Sequence, residues 1–276
     1  METLSEKRAF GGIQGEYRHA SAATGGDMTF GLFMPTAAKA GKVPLLWFLG
    51  GLTCTHENAM VKAGAQQWAE ECGLALAFPD TSPRGADVAN DDAFDLGQGA
   101  GFYVNATQAP WAPHFSMWDY VGHELPALIG QEFGIDMDRQ AITGHSMGGH
   151  GALTLAMGLK GRFRSVSAFS PICQPTQSDW GCKQFTAYLG DDRATWLAHD
   201  ATHLMQAQGF DGPMLVDTGA QDEWSALLNT QSLADAFTAR GQQGAFRLQE
   251  GYDHSYFFVS TFLAEHVRFH AAALKA

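Results

Sequence analysis

Gly144-His145-Ser146-Met147-Gly148 is a G-x-S-x-G sequence, and it stands where such a sequence has mechanical meaning. An apolar run ending Ala141-Ile142-Thr143 reads as a strand before it, and the small-residue segment from Met147 to Leu159 reads as a helix after it. A strand-to-helix turn this sharp needs flanking glycines, because a Cβ would collide with neighbouring backbone. The turn lifts the serine Oγ above the sheet end and aims the following N–H back at a reacting carbonyl oxygen. Ser146 is therefore the expected nucleophile, and the Met147 N–H one expected oxyanion donor.

A serine hydroxyl attacks poorly at neutral pH until a histidine takes its proton, and that histidine must be oriented by a carboxylate. With this turn the chain order is serine, acid, histidine. Of eleven histidines only His199, His203, His254, His266 and His270 come late enough. Gly251-Tyr-Asp-His254-Ser255 places His254 in a loop between the last strand and the last helix, whereas His266 and His270 fall within that helix. His254 is the expected base. Asp217 and Asp222 both follow the preceding strand; the turn at Gly219 gives Asp222 the greater reach, with Asp217 expected to support it from behind. The second oxyanion donor should come from the loop Leu49-Gly-Gly-Leu52-Thr-Cys54, through the Leu52 N–H or, failing that, Gly51. Cys54 has no base of its own and is expected to line the pocket as a small apolar group.

These residues need a sheet to hold them. Ile13 to Ala20 and Met28 to Met34 read as an antiparallel pair. Val43 to Gly50, Leu74 to Pro79, Arg139 to Gly144, Ser165 to Ser170, Pro213 to Gly219 and Phe246 to Gln249 read as buried strands. Between and after them, helices are expected at Glu57 to Cys72, Met117 to Phe133, Met147 to Leu159 and Ser225 to Arg240, and one from Ser255 onward. Repeated βα units imply an α/β fold with a mostly parallel central sheet, helices on both faces and antiparallel N-terminal strands. The whole of 1–276 reads as one domain, with 171–203 an insertion over the site. Asp80 to Phe115 is a long Gly-, Asp- and Pro-rich loop expected to wall the site.

Composition sets the outer bounds. Seventeen basic against 29 acidic residues give a formal charge of −12, which removes the footprint of a nucleic-acid or membrane-surface binder. No run resembles a secretory signal or a membrane span, and four cysteines without CxxC pairing argue against a zinc ribbon or disulfide framework. A reduced, cytoplasmic protein without metal or other cofactor is expected, and the sequon Asn105-Ala-Thr107 is inert there. His199 and His203 at i, i+4 lack the glutamate of HExxH and read as a solvated helix face. Gly97-Gln-Gly99-Ala-Gly101 neither closes a strand nor opens a helix, so it is not a dinucleotide site. Of Trp111, Trp118 and Trp180, the last is the expected pocket residue, with aromatic side chains of the Gly101 to Trp111 loop as further walls.

Beyond the triad, Phe48-Leu-Gly-Gly-Leu-Thr-Cys-Thr55, Gly101-Phe-Tyr-Val-Asn-Ala-Thr-Gln-Ala-Pro-Trp111, Gly144-His-Ser-Met-Gly-Gly-His-Gly-Ala-Leu153, Ser170-Pro-Ile-Cys173, Trp180-Gly181 and Tyr188-Leu-Gly190 form a recognisable set. From about His19 to Phe262 the chain resembles the S-formylglutathione hydrolases, the esterase D type of α/β-hydrolase. The resemblance implies a triad of Ser146, Asp222 and His254, oxyanion donors at Leu52 and Met147, and a pocket-lining Cys54. It implies hydrolysis of S-formylglutathione to glutathione and formate; the alternative is a broad-specificity short-chain carboxylesterase or acyl transferase on the same scaffold, acting on short acyl esters, and a homodimer is left open. The chain departs from the family at Asn105, where an aspartate is usual, and at Ser178-Asp179, where a Cys-Pro precedes the tryptophan. Both segments are expected to shape the acyl or leaving-group pocket.

Overall fold

Strands with few polar side chains must be covered on both faces, and parallel strands sandwiched between helices meet that need. The computed structural model describes residues 1–275. Its strands are β1 (Glu2–Ala9), β2 (Gly12–Ser21), β3 (Gly26–Met34), β4 (Val43–Leu49), β5 (Ala75–Pro79), β6 (Ile135–Gly144), β7 (Phe163–Phe169), β8 (Met214–Gly219) and β9 (Gly244–Gln249). They form one sheet in the order β1-β2-β3-β5-β4-β6-β7-β8-β9. β1, β2 and β3 pair antiparallel, β3 joins β5 antiparallel, and every pairing from β5 to β9 is parallel. This is the expected α/β architecture, with the reversal of strand direction on the N-terminal side.

The helices are α1 (His56–Lys62), α2 (Gln66–Cys72), α3 (Met117–Asp119), α4 (Leu125–Glu132), α5 (Met147–Gly158), α6 (Asp179–Leu189), α7 (Arg193–Trp196), α8 (Ala201–Ala207), α9 (Ser225–Leu228), α10 (Thr230–Arg240) and α11 (Tyr256–Lys275). Two apolar clusters flank the sheet. One joins Trp47, Ile142, Leu153, Val166 and Val216 to the side of α4, α5, α8 and α10; the other joins Phe48, Leu76 and Phe169 to α1, α2 and α11.

Several boundaries differ from the sequence reading for local reasons. The helix expected over Glu57 to Cys72 is two, since the chain turns at Gly64 with φ +69°. The helix from Ser225 breaks at Asn229, φ 52°, whose Nδ2 donates to the Gln174 carbonyl at 3.2 Å. Between α3 and α4 the chain widens into a π turn over Tyr120–Glu124, where the Leu125 N–H reaches the Tyr120 carbonyl. Pro126 just beyond supplies no N–H, which favours that wider ring. β1 was not expected from sequence at all: an exposed edge strand has no apolar alternation to show.

Candidate active site

The turn between β6 and α5 carries Ser146 with φ 58° and ψ −120°, a conformation costing about 1–3 kcal/mol that persists only where the surroundings dictate it. They do: the Ser146 N–H donates to the Phe169 carbonyl at 2.9 Å, and the His145 N–H to the Leu49 carbonyl at 3.2 Å. A side chain on Gly148 would collide with the Leu49 carbonyl, so α5 can start this close to β4 only with glycine there. Ser146 is thereby presented at the parallel sheet's C-terminal edge, in the wall of a cavity of about 230 Å³.

His254 lines the same cavity from the loop after β9. Its Nδ1 lies 2.7 Å from Asp222 Oδ2, and the Asp222 side chain is fully buried. The other Asp222 oxygen accepts the Trp224 N–H at 2.9 Å. Burial alone would raise the Asp222 carboxyl, but the His254 ring beside it, with the Trp224 N–H, holds it below the usual carboxylate range. The two loops meet because Gly219 lets them: a Cβ there would strike the Tyr252 carbonyl oxygen, and the Gln221 N–H donates to that same oxygen at 2.9 Å. No hydrogen bond joins Ser146 to His254 among the described residues; such bonds are often long before substrate binds.

Facing Ser146 is the loop after β4. Gly51 passes so near that a Cβ would sit 3.2 Å from the Ser146 Cβ, and Leu52 and Cys54 line the cavity beyond it. The Thr53 N–H donates to the Gly99 carbonyl and the Cys54 N–H to that of Gly51. Among the described residues the Leu52 and Met147 N–H groups donate to no protein acceptor, so both remain free to bind an oxyanion. The glycine run at 97 to 101 thus braces this loop. Cys54 is buried, which pushes its thiol up and keeps it protonated.

Several expectations are corrected. Asp217 does not support Asp222: its carboxylate receives Arg247 Nε and Nη2, each at 2.6 Å, and Gln249 Nε2 at 3.1 Å, with His266 Nε2 3.4 Å away. It ties β8, β9 and α11 together. The aromatic side chains of the Gly101 to Trp111 loop are interior, with Phe102 and Tyr103 fully buried and Trp111 packed against Phe115 and Tyr188. Trp180 lines the cavity, and its companions there are Phe94 and Trp224. His199 is not on a solvated face; it packs against Trp118 and Phe185, and burial pushes its imidazole down to about 4.

Of the two family departures, Asn105 accepts the Asp119 N–H at 3.1 Å and Ser178 caps α6 by accepting the Gly181 N–H at 3.0 Å. Each fixes backbone, and neither is among the cavity's lining residues. Sequence reasoning also passed over His145 and Tyr256. The buried His145 ring lies 4.6 Å from that of His254, and burial, with His254 adding to it, pushes its imidazole down to about 3. Tyr256 stands 5.3 Å from His145; its position two residues past His254 was the available signal. For a cation, Glu16, His56 and Glu57 bring donor atoms within 4.8 Å of one another, with His56 already hydrogen-bonded to Glu16 at 3.1 Å. None of the three lines the cavity. No helix among the described residues is long and apolar enough to cross a membrane.

A serine on a strained turn and an imidazole held by a buried carboxylate, both lining one cavity, with the unpaired Leu52 and Met147 N–H groups beside the serine, are an arrangement that can perform acyl transfer to water. Comparison with known proteins agrees. The family model described as putative esterase matches residues 21–269. An S-formylglutathione hydrolase of Paracoccus denitrificans (strain Pd 1222) is 63% identical, the match covering 99% of this chain and 98% of that protein. One from Mus musculus is 48% identical over 100% of this chain and 99% of its own. The solved structure of an S-formylglutathione hydrolase from Agrobacterium tumefaciens matches with a TM-score of 0.97 at 43% identity, covering 99% of this chain and 100% of that one. The chain belongs to the putative esterase family and, within it, to the S-formylglutathione hydrolases.

Proposed function

We propose that this enzyme hydrolyses the thioester S-formylglutathione to glutathione and formate, the last step of glutathione-dependent formaldehyde detoxification. The observation that carries this reading is identity of 63% and 48% along the full chain to proteins of that name. The substrate is a small molecule. The few, unpaired cysteines fit a reducing compartment, and we place the enzyme in the cytoplasm. The chain acts as one domain, with 171–203 inserted over the site.

In this reading Ser146 Oγ attacks the formyl carbon while His254 Nε2 takes its proton. Negative charge moves to the formyl oxygen, where the Leu52 and Met147 N–H groups receive it. Asp222 holds the resulting imidazolium. Collapse breaks the C–S bond, glutathione leaves, and His254 gives its proton to the departing sulfur or, where the thiolate leaves first, to solvent, so the imidazole is again a neutral base. A thiol of ordinary pKa about 8.5 is a good leaving group, so this step asks little of the acid. Water then attacks the formyl-enzyme, His254 takes the water's proton and returns it to Ser146 Oγ, and formate departs.

The test joins labelling to rate. An organophosphate should attach to Ser146 alone, Ser146→Ala should lose several orders of magnitude while staying folded, and S-formylglutathione should give a higher kcat/KM than p-nitrophenyl acetate or butyrate. A label elsewhere refutes the nucleophile. Preference for butyryl esters would make the enzyme a general carboxylesterase.

A further inference from the structure

Three aromatic side chains from separate segments meet at the cavity: Phe94 from the long loop after β5, Trp180 from α6, and Trp224 from the turn after β8. Their ring centroids are 6.3 Å (Phe94 to Trp180), 6.4 Å (Phe94 to Trp224) and 6.2 Å (Trp180 to Trp224) apart. Phe94 is 55% exposed and Trp224 38% exposed, while Trp180 backs them from inside. Apolar rings kept in water beside a reaction cavity are costly unless a ligand covers them.

The cluster is fixed in place. Asp95, adjoining Phe94, is buried and accepts from Trp180 Nε1, from Lys183 Nζ at 2.7 Å and from Gln184 Nε2 at 3.2 Å, which ties the loop tip to α6. Trp224 is tied to the acid through its N–H on Asp222. The rings are thus held in register with His254.

Resting on the reading of S-formylglutathione as substrate, we infer that Phe94 and Trp224, backed by Trp180, form the platform for the glutathione leaving group. A formyl group ends in a hydrogen atom one bond beyond the reacting carbon. It cannot cover three rings whose centroids lie 6.2–6.4 Å apart. The tripeptide can, and its flat amide groups and methylenes stack on ring faces. Stacking also needs no counter-charge. That matters because the chain carries a formal −12 and a glutathione thioester carries two carboxylates against one ammonium.

The experiment compares S-formylglutathione with the formyl thioester of 2-mercaptoethanol, which presents the same acyl group on a thiol too short for the platform. Wild type should favour the glutathione thioester in kcat/KM. Phe94→Ala and Trp224→Ala, the latter keeping its backbone N–H, should each cut that preference about threefold to tenfold, chiefly through KM. Leu248→Ala, a 66% exposed apolar residue on β9, is the control and should leave it unchanged. S-methylglutathione, which cannot be hydrolysed, should quench tryptophan fluorescence in wild type and bind more weakly to Phe94→Ala by the same factor. A preference that survives both substitutions, with S-methylglutathione binding unchanged, overturns the platform alone. A wild type that cleaves the two thioesters equally well overturns the substrate reading, and the platform with it.

Discussion

Asp222→Asn separates the proposed acid from its neighbour with a magnitude the geometry supplies. Asp222 accepts the Trp224 N–H on Oδ1 at 2.9 Å and faces His254 Nδ1 with Oδ2 at 2.7 Å. An asparagine must keep its one carbonyl oxygen toward the Trp224 N–H, so its NH₂ turns to His254. The ring then accepts at Nδ1 and carries its proton on Nε2, where it has to take one from Ser146. The anion that steadies the imidazolium is lost as well. At about 4 Å and an effective dielectric constant near 20, that pair is worth about 4 kcal/mol, or roughly a thousandfold in rate. With the wrong tautomer added, kcat/KM on S-formylglutathione should fall about 10⁴-fold, read from the loss of thioester absorbance. Asp217→Asn should do the reverse. It breaks a buried pair with Arg247 and should cost about 3 kcal/mol of stability, seen as a lower Tm, while folded protein keeps its rate to within a few-fold. A loss under tenfold at Asp222, or an equal loss of rate at Asp217 in folded protein, refutes the assignment.

Cys54→Ser should stay active, whereas iodoacetamide should inhibit the native enzyme slowly and faster as pH rises, because burial keeps the thiol protonated; a folded but inactive Cys54→Ser would make the sulfur catalytic. Trp180→Ala removes a cavity wall and should flatten the fall in kcat/KM from formyl through acetyl to butyryl thioesters; an unchanged profile would place the acyl group elsewhere. Stability should fall as pH drops below about 6.5. The buried His145 and His150, each pushed down to about 3 chiefly by burial, stay neutral in the native state but take protons when unfolded. Because the unfolded state binds more protons between those two pH values, each contributes about 1.4 kcal/mol of loss per pH unit across that window. Urea midpoints at pH 7, 6 and 5 test this, and a flat profile would contradict it.

What sequence could show follows from how each feature is encoded. The turn at Ser146 was legible because its backbone cannot be built without glycines at set offsets from the serine, next to a strand and a helix. The parallel strands were legible as unbroken apolar runs. The cavity mouth was not, since Phe94, Trp180 and Trp224 come from three distant segments and no local pattern marks them as neighbours. His199 misled for a similar reason: i, i+4 spacing describes a single helix, but it ends a short 3-10 turn while His203 lies in α8, and Trp118 arrives from elsewhere to cover it.

The choice between Asp217 and Asp222 shows where sequence distance fails and strand geometry decides. Asp217 lies inside β8, where a side chain is committed to one face of the sheet. Its partners His266 on α11 and Arg247 on β9 show that this face is the one α11 covers. From there it cannot turn to the sheet edge, whatever its distance from Ser146 along the chain. Asp222 comes three residues after the strand has ended, in backbone that has already folded over the Tyr252 carbonyl, and so it meets His254 without itself lining the cavity. Reach past the strand end, made available by a glycine that lets two loops touch, is what separates a carboxylate that holds the sheet together from one that can hold the base.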